Sequence, residues 1–228
     1  MRRRPFSFVS TVLAVVAGGA ALVVADPFGW FGWPVTTAQL MAVLPRGQDV
    51  PGYRAEFGRP ETGVGPSAER PCGTVAAALW SPGRMPAAST RVLLTAKDGG
   101  KRHLVDSYGY AEDDAEAVMA ELRASVPACA HYNAYYADLY LRFGTRPADP
   151  PFEVGDEMVT YRVLAPPPGD PDLGGSGAPL EPGPLQEPGT AVTFVRTGGV
   201  ITRYGSAVPR AVAEDFEARI RRAPSLIG

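Results

Sequence analysis

The chain has 228 residues and a formal net charge of −2, so it lacks the basic surplus that a nucleic-acid backbone demands. Its length beyond any leader suits one domain with a sizeable core. Of 22 basic residues only Lys97 and Lys101 are lysine; with 26 glycines and 24 prolines, this is the codon bias of a GC-rich bacterial genome such as that of an actinobacterium.

The N-terminus carries the strongest signal. Arg2, Arg3 and Arg4 precede an apolar run over 6–25, and Phe28, Trp30, Phe31 and Trp33 follow it. A basic start before about 20 apolar residues directs the segment into a membrane with its N-terminus in the cytosol. Residues 1–5 are then a cytoplasmic tip, 6–25 a transmembrane signal-anchor, and 26–35 a juxtamembrane aromatic segment. A cleaved signal peptide also fits, because Val23-Val24-Ala25 offers a cleavage site near Ala25. Length and the interfacial aromatics favour the uncleaved anchor. Either way residues 36–228 form an extracytoplasmic domain.

Thr36-Thr37 caps a short predicted helix over 38–44 that Pro45 stops. After it, 45–71 reads as an irregular Pro- and Gly-rich segment, with a candidate strand over 53–57. A second short helix spans 72–80. Strands over 91–97 and 102–108 flank the hairpin signal Asp98-Gly99-Gly100-Lys101. Glu112, Asp113 and Asp114 open a helix in which Ala115, Val118, Met119, Leu122 and Val126 recur at helical spacing, with Pro127 ending its regular part.

Residues 135–143 alternate apolar and polar as one half-buried strand, and 158–164 forms another with Val159, Tyr161 and Val163 on one side. Strands over 191–196 and 200–204 join through Thr197-Gly198-Gly199. Val212, Phe216 and Ile220 mark a closing amphipathic helix. Between the last strand pairs, 165–189 holds eight prolines and six glycines and reads as a flexible insertion. Its Pro168–Pro171 and Pro179–Pro182 spacings formally match a proline-rich ligand. Hairpins with few intervening helices predict an α+β fold: a mostly antiparallel sheet with helices packed on one face, preceded by the N-terminal membrane-spanning or signal helix.

Two cysteines, Cys72 and Cys129, lie in the exported part. Outside the cytosol two such thiols ordinarily pair, and a loop of this length is worth about 4 kcal/mol on a chain-entropy argument. Free thiols are a weaker reading. Zinc with His103 and His131 is weaker still, because no two ligands have the usual spacing.

In this order, Thr37-Ala-Gln-Leu40, Pro71-Cys72, Val126-Pro-Ala-Cys129, Phe152-Glu-Val-Gly-Asp-Glu-Met-Val159 and Arg196-Thr-Gly-Gly-Val200 resemble the extracellular sensor-like domain of actinobacterial membrane proteins and lipoproteins. The best-known member of that family is the C-terminal extracytoplasmic domain of a mycobacterial receptor serine/threonine protein kinase. The resemblance covers 36–222. It implies an α+β domain with a central cleft for an unidentified extracellular ligand. This chain departs from the kinase member in having one cysteine pair instead of two, an inserted proline-rich loop and no kinase, so any signal must pass to a partner in the membrane.

Chemistry-bearing motifs are sparse. The sequence has no G-x-S-x-G elbow, P-loop, dinucleotide fingerprint, H-E-x-x-H or calcium loop. No catalytic residue, metal site or cofactor is assigned, and the reading is non-enzymatic. His103 and His131 read as surface or cap residues, and Asp156-Glu157 as turn residues ahead of a strand in preference to a catalytic carboxylate pair. Six of nine tyrosines fall between Tyr108 and Tyr140. Their apolar faces and polar tips suit a cleft, so Tyr108, Tyr110, Tyr135, Tyr136 and Tyr140 are the candidate ligand-binding residues, with ordinary sheet packing the competing reading. Two functions result: a tethered ligand-binding or sensor-like module for a small molecule or envelope component, and an interaction protein that docks another cell-envelope protein.

Overall fold

The alternating segments pair as one antiparallel sheet in a computed structural model, which describes residues 34–47, 50–58, 72, 73, 75, 85–130, 132–136, 139–164, 191–205 and 208–223. In chain order come α1 (Thr37–Val43), β1 (Tyr53–Gly58), β2 (Ala88–Ala96), β3 (Arg102–Gly109), α2 (Glu112–Ala128), β4 (Tyr132–Tyr136), β5 (Leu139–Pro147), β6 (Glu157–Leu164), β7 (Ala191–Thr197), β8 (Val200–Tyr204) and α3 (Arg210–Arg221). The strand order is β1-β2-β3-β8-β7-β6-β5-β4, with every neighbouring pair antiparallel. The class is α+β, mostly sheet.

Local chemistry explains the boundaries. At α1 the Thr36 side chain accepts from Gln39 N while Gln39 reaches back to the Thr36 backbone, a complete capping box. The β2–β3 and β7–β8 turns each place a glycine in the left-handed region, Gly99 at φ 76° and Gly198 at φ 55°. Three acids occupy the first turn of α2, where the helix dipole favours them. Pro127 falls in the last turn of α2 without ending it, since the helix continues to Ala128. There Thr145 Oγ1 of β5 lies within hydrogen-bond reach of the Val126 and Cys129 carbonyls, at 3.0 and 2.9 Å, and so covers exposed acceptors of the helix end.

Two expectations change. The single strand over 135–143 is a hairpin, β4 paired with the first half of β5, with Tyr136 opposite Leu139. Its reversal at 137–138 lies outside the described residues. The helices, moreover, do not share one face. On β8, Val200 and Tyr204 join a cluster with Leu40 of α1 and with Val212, Ala213, Phe216 and Ile220 of α3. The intervening Ile201 joins Tyr108, Phe194 and the apolar side of α2. Successive residues of a strand point to opposite faces, so α1 and α3 cover one side and α2 the other. The physical reason lies in strands such as β8, which are buried on both sides and need two covering layers.

Cys72 and Cys129 form a disulfide, with Cα atoms 5.1 Å apart and a sequence separation of 57. Cys72 and Gly73 are helical, and the rest of the predicted 72–80 helix is described only at Val75. The apolar run over 6–25, the aromatics over 28–33 and the loop over 165–189 lie outside the described residues. Among the described residues no helix is long and apolar enough to cross a membrane.

Replacing both cysteines by serine should lower unfolding stability by about 4 kcal/mol, read as a shifted denaturant midpoint. Reduction of the wild type should reproduce the shift, and the serine variant should not respond to reductant.

Candidate functional site

Among the described residues, each face of the sheet holds a buried acid with polar partners. On the α2 face Asp106 of β3 stands in register between Arg91 of β2 and Arg203 of β8. Asp106 accepts from Arg91 Nε at 2.6 Å and from Arg203 Nε at 3.0 Å, and Arg203 Nη2 adds a further contact. All three residues are buried. One carboxylate thus serves two guanidiniums across three strands, an arrangement that fixes register.

On the other face the buried acid is Glu217 of α3, only 3% exposed. Thr197 Oγ1 donates to its Oε2 and Tyr204 Oη to its Oε1, each at 2.6 Å. Thr202 Oγ1 lies close to the carboxyl without a well-aligned hydrogen bond. Burial pushes the Glu217 carboxyl above the usual carboxylate range, and the three hydroxyls only partly oppose it. Burial and the neighbouring carboxyl raise the Tyr204 hydroxyl well above its ordinary value, so it stays a neutral donor.

Glu217 also lines a groove of about 350 Å³ between α3 and the loop before β6, together with Glu153, Val154, Gly155, Glu214, Ala218, Arg221 and Arg222. Such a volume falls at the small end of ligand sites. Asp156 fixes the loop wall: it accepts from Gly198 N at 2.9 Å and from Arg221 Nη2 at 3.1 Å. Gly155 sits at φ 73°, and a Cβ there would lie 2.3 Å from Val195 Cγ1 and 2.7 Å from the Arg196 carbonyl oxygen. Only glycine lets the loop lie against the sheet.

The candidate tyrosines do not converge. Tyr108 and Tyr110 are buried in the cluster beneath α2. Burial pushes the Tyr108 hydroxyl up to about 12 against the opposing pull of Arg203, and it raises Tyr110 further. Tyr135 and Tyr140 are register partners in the β4–β5 hairpin at the far edge, with Tyr136 beside them. Four strands separate β3 from β4. His103, expected at the surface, is buried on β3 with Nε2 at 3.4 Å from Tyr53 Oη. Alternation on two-sided β3 turns it inward. His131 lies outside the described residues. Asp156 and Glu157 do not act as a pair: Asp156 holds the β7–β8 turn and α3, whereas Glu157 accepts from Arg123 and Arg196. Among the described residues no three His, Cys, Asp or Glu side chains come together to hold a metal.

Sequence reasoning missed Glu217 and the Arg91–Asp106–Arg203 triad. A signal for Glu217 was present. Ala213, Phe216, Glu217 and Ile220 follow the i, i+3, i+4, i+7 pattern of an inward face, so an acid stands where packing calls for an apolar side chain.

Asp106→Ala should cost about 3–5 kcal/mol, because it leaves two buried guanidiniums without their shared acceptor. Triple apolar replacement of Arg91, Asp106 and Arg203 should recover most of that loss in the same denaturant assay. Gly155→Ala should destabilise by about 1–3 kcal/mol through its left-handed backbone and the contact with Val195. No family model, no curated protein and no solved structure matches this chain.

Proposed function

We propose that this chain is a non-enzymatic, extracytoplasmic ligand-binding module of the sensor type, tethered to the membrane by its N-terminal segment and seating its ligand in the α3 groove. The observation that carries the reading is Glu217. A carboxyl buried in an apolar face, satisfied by hydroxyls and lining a groove, lowers stability compared with a well-packed apolar residue. Costly polar groups that line concave surfaces are the usual mark of a binding site. Compartment follows from the arginine-led apolar run and agrees with the Cys72–Cys129 bridge, since disulfides persist in oxidising spaces. The sensor-like reading also draws on the order of short motifs from Thr37 to Val200, and the module would signal through another membrane protein.

The test is a thermal-shift screen of the full chain in mild detergent against lipids, sugars and cell-wall fragments. A specific binder at about 100 times its Kd should add about 2.7 kcal/mol of stability. Ala218→Trp, at an exposed position of α3, should fill the groove and abolish the shift while leaving ligand-free melting close to that of the wild type. A binder whose shift survives in that variant would place the ligand elsewhere and defeat the groove as its seat.

A further inference from the structure

We infer that docking of α3 on the sheet, and with it the shape of the groove, takes up one proton at Glu217. This deepens the preceding reading, because it makes ligand binding in the groove proton-linked.

Glu217 is only 3% exposed and, among the described residues, has no counter-charge in contact, the setting that disfavours an ionised acid. Both carboxyl oxygens meet hydroxyls, Thr197 Oγ1 from β7 and Tyr204 Oη from β8, and among the described residues no basic side chain forms an ion pair with Glu217. The surrounding charges do not supply one. The loop before β6 contributes Glu153 and Asp156, both acids. On α3 itself Glu214 pairs with Arg210 and Asp215 with Arg219; Arg221, one turn beyond Glu217, is engaged by Asp156 at 3.1 Å and its charge opposes burial only in part, and Arg222 at the groove donates to the Ala218 carbonyl. β8 contributes Tyr204, which stays neutral, and β7 contributes the uncharged Thr197. The proton comes from solvent and resides on one carboxyl oxygen. With the proton on Oε2 the bond to Thr197 reverses, the carboxyl donating and Thr197 Oγ1 accepting, while Tyr204 continues to donate to Oε1.

The direction with pH follows. Burial raises the Glu217 carboxyl above its unfolded value, so its contribution to stability is complete below about pH 4.3, the ordinary glutamate range. It is lost as pH rises through the folded value. The same change frees the inner face of α3, because an ionised, poorly hydrated carboxylate is relieved when the helix lifts toward water.

The experiment uses the ligand-free full chain in mild detergent, with the proton itself as the probe. Denaturant midpoints of the wild type and of Glu217→Gln, which keeps an acceptor for Tyr204, are measured from about pH 4 to about pH 8. The folded-to-unfolded ratio of the wild type should fall relative to the variant by up to about tenfold per pH unit above the ordinary glutamate range. Asp113→Asn, at an exposed position in the first turn of α2 on the opposite face of the sheet, should leave that difference in place. Independently of any variant, the ¹³C carboxyl resonance of Glu217 should titrate at higher pH than the exposed glutamates, and intrinsic-rate-corrected amide exchange in α3 should accelerate over the same interval. Parallel stability curves, or a Glu217 resonance that titrates with the exposed glutamates, would overturn proton uptake and leave the groove standing as a ligand seat. Conversely, a ligand screen without hits would remove the seat and leave proton uptake intact.

Discussion

The pairing of β3 with β8 is the constraint on which this architecture depends. Every other neighbouring pair in the sheet is consecutive in the chain, with no other strand between its two members in sequence. Only β3 and β8 unite distant segments, and until they meet the molecule consists of two separate meanders. Asp106 sits at that seam with an arginine from each neighbouring strand. A one-residue slip would carry Asp106 to the opposite face and strand both guanidiniums, so the charge cluster selects the register at the place where turn geometry gives no help.

Joining the meanders also decides the layering. The middle strands have water on neither side, and both of their faces must be filled by side chains from helices. α2 fills one face from the crossover between β3 and β4, and its C-terminal end is bridged to Cys72. α1 and α3 fill the other. α3 is held by its apolar stripe and by polar contacts at Glu217 and Arg221, which makes it the covering element most open to chemical control. Under the proposed reading, a ligand in the groove at its margin would meet this covering element directly.

Much of this was legible in the chain. Strand-turn-strand signals at Asp98–Lys101 and Thr197–Gly199, the Thr36 cap and the helical spacing from Ala115 to Val126 all report local physics, and each became the element expected. The 135–143 strand misled because its alternation continues through the reversal, so period alone does not reveal a two-residue turn. Layering was misread for a related reason. Alternation in β6 made one side look solvated, yet Thr160 on that side is buried and bonded to Thr193. The tyrosine cluster was close in sequence and dispersed in space, because α2 carries the chain from β3 to the opposite edge. Glu217 and Asp106 were hidden in elements whose apolar neighbours dominated the pattern. An acid at an inward position is the one local anomaly that would have exposed them.

The central position of β8 has a consequence for how the polypeptide tolerates loss of its tail. Everything after Gly199 contributes the fourth strand of an eight-strand row and the helix that roofs it. In most domains trimming the end shortens the periphery. Clipping here would excise the keystone, leaving β3 and β7 as two raw, water-averse borders eager to pair with a neighbour. A cut in the β7–β8 turn that released β8 would thus turn the module into a seed for self-association.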